Sequence, residues 1–295
     1  GLLMPIYDQG YQRWKGEIGA HPVRWWPITR QGVLQFLPQR KYLLLLGMSW
    51  VVVLIRGFQL FTYLRGREVT ERLNEAFGGA ISFDAGPEFY WNAIVRQLLW
   101  VVILTVMAGA DLIAADRRHK ALQLYFSKPI TSNDYIFGKL GVIAVFPIIA
   151  MWVPTILLWL FGLMLEPSMA YFREIWFVPL AATFWSAMVV MVAGMLMLAM
   201  SAIGQRAVFI SVSWLIFFGY GPFQGVVLLL EGITGNPHWG LISLESCLRQ
   251  IGNWWFGLEP PWDFHPILAL MMLLGAVVAC YALVRWKIKP VEVVL

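Results

Sequence analysis

Long uninterrupted runs of apolar residues alternate along this chain with short polar segments. Six blocks stand out, at 42–64, 90–115, 135–165, 175–203, 207–230 and 267–286. A hydrocarbon core of about 30 Å needs about 20 residues of helix, and every block reaches that length. None alternates apolar and polar residues as a barrel strand does, and backbone inside lipid must satisfy its own hydrogen bonds, so all six are predicted helices. The expected fold class is an all-α integral membrane protein with about six transmembrane helices.

Composition agrees with that pattern. Hydrophobic residues make up 59% and charged residues 13% of the 295, where a soluble domain carries about 25% charge. No leader-like apolar region with a small-residue cleavage site opens the chain, so no signal peptide is expected. Six spans put both termini on one side, and Lys and Arg then favour that side by fifteen to five, with Arg56 and Arg96 inside spans. The positive-inside bias makes both termini cytoplasmic. The loop after the first span agrees, because Glu68, Glu71, Glu75, Asp84 and Glu88 outnumber Arg65, Arg67 and Arg72 there. Residues 1–41 mix Tyr7, Tyr11, Trp14, Trp25 and Trp26 with Arg13, Lys15, Arg24 and Arg30, the composition of an arm lying in the inner interface on membrane lipid, or of a docking arm for a cytoplasmic partner. Residues 287–295 form a short cytoplasmic tail.

The stretch between the second and third blocks carries the most information. Asp111 and Asp116 are followed by the basic turn Arg117, Arg118 and Lys120, and then by the short amphipathic segment Leu122, Leu124, Tyr125 and Phe126. Lys128 and Pro129 close it, because proline cannot continue a helix. Thr131, Ser132 and Asn133 offer caps for the next helix, with Asp134 in its first turn, where the helix dipole favours a carboxylate. A stiff, partly apolar knob joined directly to two spans suits reception of force from a soluble partner; an interfacial helix with no partner has the same composition.

This stretch resembles the membrane-spanning subunits of ABC transporters of the second type, the type V exporter class. The matching residues are Asp111, Asp116, Arg117, Ala121, Leu122, Leu124, Ser127, Lys128, Pro129, Ile130, Thr131, Asp134, Gly138 and Lys139. His119 precedes Lys120 and Ala121 where the family usually has Gly, and Ser132 stands in place of a common Arg. The resemblance implies a coupling helix that docks on an ABC ATPase subunit through Arg117, Arg118, Lys120, Leu122, Leu124, Tyr125, Phe126, Lys128 and Pro129. It also implies a second permease subunit, identical or homologous, and a bacterial plasma membrane location. The external stretch 232–265, with an amphipathic helix predicted at 244–255, falls where such exporters carry small external helices.

The chain itself lacks the machinery of an enzyme. No phosphate-binding Gly-x-x-x-x-Gly-Lys loop occurs, so ATP and Mg are expected on the partner ATPase and no cofactor in this chain. His21, His119, His238 and His265 all lie outside the spans, and Cys247 and Cys280 lack metal-knuckle spacing; neither a metal site, nor catalysis, nor a nucleic-acid partner is expected. Arg56 is the costliest residue to place in a span, about 2.5–3.5 kcal/mol at mid-membrane. It either meets an anionic or lipid substrate, or snorkels outward or pairs with a carboxylate, and Asp111 is a second polar candidate at the inner end of its span. Pro147 and Pro154 predict a kink in the third span. The expected function is the permease of an ATP-driven exporter; the alternative is a structural subunit of a larger membrane complex.

Overall fold

A computed structural model describes residues 23–66, 85–126, 130–217 and 222–288. The described residues form helices α1 (Trp26–Phe36), α2 (Arg40–Arg65), α3 (Pro87–Arg96), α4 (Leu98–Gly109), α5 (Ala114–Arg118) and α6 (Ala121–Phe126). They continue with α7 (Ser132–Pro147), a π-turn (Ile148–Trp152), α8 (Val153–Leu165), α9 (Met169–Ile175) and α10 (Val178–Ile203). Last come α11 (Ala207–Phe217), α12 (Pro222–Thr234), a 3-10 turn (Pro237–Ile242), α13 (Leu244–Trp255) and α14 (Pro266–Lys287). No strand occurs among the described residues.

Five stretches are long and apolar enough to cross a membrane: Arg40–Arg65, Pro87–Arg118, Ser132–Leu165, Met169–Ile203 and Pro266–Lys287. The chain is an all-helical, multi-pass membrane protein. In the block at 207–230 the described residues are helical at Ala207–Phe217 (α11) and Pro222–Thr234 (α12), and residues 218–221 lie outside the described residues. Contacts of these two helices reach both ends of the bundle. At one end Arg118 donates to the Gln205 carbonyl just before α11, at 2.7 Å; at the other, Trp262 donates to Glu231 of α12 at 3.3 Å.

Stretch 169–203 is the centre of the bundle, with 67% of its most apolar window buried, against 17% for α2 and for α14. Those two therefore leave most of their surface uncovered by the rest of the chain. Between Pro147 and Pro154, where a kink is predicted, the third span carries a π-turn at Ile148–Trp152. Carbonyls within it are taken by side chains, Ile149 by Trp50 Nε1 at 3.2 Å and Met151 by Thr155 Oγ1 at 2.7 Å. Such substitutes make a broken helix tolerable in lipid.

At the end of the bundle that carries α5 and α6, α1 packs along α7. Thr29 donates to the Gly138 carbonyl at 2.9 Å, and a Cβ on Gly138 would lie 2.8 Å from Ile28 Cβ, so only glycine admits the arm this closely. The described part of the N-terminal arm is thus docked on the third span. Residues 1–22, including Tyr7, Tyr11 and Trp14, lie outside the described residues. The acidic loop from Glu68 to Asp84 lies outside them too.

The opposite end is closed by α13, over the range the sequence predicts. It is buried rather than loop-like: Leu248 accepts from Trp185 Nε1 at 2.9 Å, and Gly252 lies so close to the Trp91 ring that any side chain there would collide with it. Gln250 donates to the Trp262 and Phe264 carbonyls at 2.8 and 2.6 Å and accepts from Trp262 N at 3.1 Å. One buried amide thereby holds the whole turn before α14.

Candidate functional site

The knob at 110–139 is built where the second span stops being a regular helix. Between α4 and α5 the chain makes a turn, which leaves backbone groups without helical partners. Ser201, fully buried on α10, serves three of them: its hydroxyl accepts from Ile113 N and Ala114 N at 3.0 and 3.1 Å and donates to the Ala110 carbonyl at 3.0 Å. The turn is thereby fastened to the fourth span.

A second attachment joins the knob to the third span. Asp116 Oδ2 accepts from Lys139 Nζ at 2.7 Å and from the Tyr135 hydroxyl at 2.6 Å, with the Asp116 and Lys139 side chains only 16% and 8% exposed. The Lys139 ammonium also lies over the rings of Tyr125 and Tyr135, at 5.5 and 5.4 Å. Tyr125 packs edge-on against Tyr135 at 5.2 Å. Burial pushes the Tyr125 hydroxyl above its ordinary pKa, and the Asp116 carboxylate adds to that, so Tyr125 stays neutral. One ion pair and two rings therefore link α5, α6 and α7 with little water between them.

The predicted contact residues divide by direction. Arg117 donates to the Ala202 carbonyl, and Arg118 to the Gln205 carbonyl, so both guanidinium groups are spent on the end of α10, where the helix dipole favours cations. Arg118 Nη2 also meets both Asp111 oxygens, at 2.7 and 2.8 Å, in a largely exposed pair. Asp111 is thus part of the knob and lies at the knob end of its span. Leu122, Tyr125 and Phe126 are half-buried against the bundle, with Phe126 6.1 Å from the Tyr135 ring. Leu124 points outward at 72% exposure, beside exposed His119, Lys120 and Gln123. Lys120 holds a left-handed φ of 55° that glycine adopts without strain. Lys128 and Pro129 lie outside the described residues.

The cap of α7 is Thr131. Its hydroxyl accepts from Asp134 N at 3.2 Å while Asp134 accepts from Thr131 N at 3.0 Å, a reciprocal capping box. Ser201 and Tyr135 were not candidates from sequence. A buried serine reads like any small residue on an apolar helix, and only the broken turn opposite it gives it work.

Arg56 lies elsewhere, on α2, where it donates to Gln59 Oε1 at 3.1 Å and stands over the Phe89 ring at 5.6 Å. No group of three or more potential metal ligands occurs among the described residues. No protein-family model matches the chain, and no curated protein is significantly similar to it.

Proposed function

We propose that this chain is the membrane-spanning permease subunit of an ATP-driven exporter, coupled through α5 and α6 to a separate ATPase subunit. The observation that carries the proposal is the two-sided fastening of the knob. A displacement applied at Leu124 cannot be absorbed locally, because Asp116, Lys139 and Tyr135 tie the knob to the third span and Ser201 ties it to the fourth. An interfacial loop helix without a partner has no need of fastening to two spans at once.

In this reading the membrane is crossed six times, the α11–α12 pair making the fifth crossing, and both termini lie on the cytoplasmic side of a bacterial plasma membrane. The exposed patch of His119, Lys120, Gln123 and Leu124 enters a groove on the ATPase. ATP and Mg bind and react on that subunit, so this chain catalyses nothing itself. Closure of the ATPase pair pushes the knob and moves the second and third spans together. Cargo leaves between this chain and a second permease, with α13 and the 3-10 turn at the exit.

The test is purification of the tagged full chain from its native membrane in mild detergent, with ATPase activity measured on the eluate. Leu124→Glu is the discriminating variant, because Leu124 is exposed whereas Phe126 packs inward and its replacement would disturb the knob. Loss of a co-purifying ATPase in Leu124→Glu, with unchanged elution of the chain, supports coupling. An eluate free of ATPase, or containing unrelated membrane subunits unaffected by the variant, makes the chain a structural subunit instead.

A further inference from the structure

Two arginines share one cavity in the membrane-spanning part of the bundle, far from the knob. The cavity lies between α2 and α3, has a volume of about 400 Å³ and is lined by Val52, Ile55, Arg56, Gln59 and Arg96. Arg56 is nine residues from the end of α2 and Arg96 nine from the start of α3, so both lie about 13.5 Å inside the same end of the bundle. The chain runs out along α2 and back along α3, and this antiparallel path brings the two cations to one depth.

Neither arginine meets a carboxylate among the described residues. Arg56 is oriented by the Gln59 amide oxygen and the Phe89 face, neither of which neutralises it. Arg96 is exposed and has no hydrogen-bond partner among the described residues. Two guanidinium groups facing one low-dielectric cavity repel each other, and an anion between them converts that repulsion into two charge-assisted contacts. The Gln59 amide nitrogen, its oxygen being occupied, supplies a third donor at the same place.

The geometry points to a binding site for the phosphate of an anionic phospholipid headgroup, held by Arg56, Arg96 and Gln59. The size fits, because 400 Å³ takes a phosphate with its glycerol. The phosphate chemistry alone also suits free inorganic phosphate. The apolar lining favours the lipid, since Val52 and exposed Ile55 form a lip suited to acyl chains rather than to a hydrated ion. Planar donor forks match phosphate oxygens in pairs, which a single lysine does not. The site stands at the opposite end of the second span from the knob and is independent of any ATPase.

The experiment is photolabelling of the full chain in phosphatidylcholine vesicles carrying a trace of diazirine-bearing phosphatidylglycerol, followed by peptide mapping. Labelled peptides are expected around residues 52–59 and 91–97, with labelling suppressed by unlabelled phosphatidylglycerol and not by further phosphatidylcholine. In the double variant R56Q/R96Q, labelling there is expected to fall about tenfold, the loss that follows when charge-assisted contacts are removed. Labelling spread evenly around the bundle, or unchanged in the variant, overturns the site. Suppression by inorganic phosphate as strongly as by phosphatidylglycerol assigns the cavity to a free oxyanion and overturns the lipid. If the double variant fails to fold, the mapping and competition on the wild-type chain decide alone.

Discussion

Several polar side chains in this bundle act where helices break and are matched to the backbone they face. Ser201 faces the turn after α4, Gln250 the turn before α14, Thr155 the π-turn and Thr131 the start of α7. Glu245 on α13 is matched on one side only. Its Oε1 accepts from Arg249 Nε at 2.9 Å, while its buried Oε2 has no hydrogen-bond partner among the described residues. Burial pushes its carboxyl from the ordinary 4.5 up to about 7. The folded chain therefore keeps a proton that the unfolded chain releases, so stability falls as pH rises from about 4.5 to about 7 and levels off above. Glu245→Gln, which keeps the shape and removes the titration, is expected to flatten that slope. Thermal unfolding in detergent across this pH range checks it, and an unchanged slope in the variant would place the titration elsewhere.

Helix types and lengths were legible in the sequence because lipid leaves the backbone few options. The range of α13 was readable from its amphipathic spacing, and an irregularity of the third span from Pro147 and Pro154. The knob was legible as a helix with caps, yet not as a fastened unit. Asp116 and Lys139 are 23 positions apart, and nothing local says that they meet. Their pair is the element's main tie, and breaking a buried pair costs about 3–5 kcal/mol because one charge is left uncompensated. Asp116→Asn is expected to destabilise the chain by about 3 kcal/mol, at the low end because asparagine still accepts one hydrogen bond. Adding Lys139→Met should recover part of the loss, since the orphaned ammonium is then gone. Denaturant unfolding of Asp116→Asn, Lys139→Met and the double variant measures this, and simple additivity of the two single losses would mean that the residues do not act as a pair.

Across the whole molecule, the contacts sort the polar segments into two ends. Arg118 at Gln205, Thr29 at Gly138 and Tyr281 at Asn133, the last at 2.7 Å, gather α1, the knob and the end of α14 at one. Tyr90 at Tyr171, Trp185 at Leu248 and Trp262 at Glu231 gather the other. The bias of Lys and Arg in the sequence is the reason to expect the first group in the cytoplasm. Whether α11 and α12 cross or turn back decides where α13 lies. The long-range contacts join the two ends through that pair, so single cysteines are expected to separate cleanly. Lys120→Cys and Arg285→Cys, both at exposed positions, should react with an impermeant maleimide only from the cytoplasmic face, and Glu259→Cys, also exposed, only from the outer face. Native Cys247 interferes little: it is buried, and burial raises its thiol pKa to about 12, which keeps it from forming the reactive thiolate; Cys280 is replaced by Ser in all three variants. Reaction of Lys120→Cys and Glu259→Cys from the same face would instead make α11 and α12 a re-entrant hairpin, remove the fifth crossing and put α13 on the side of the knob.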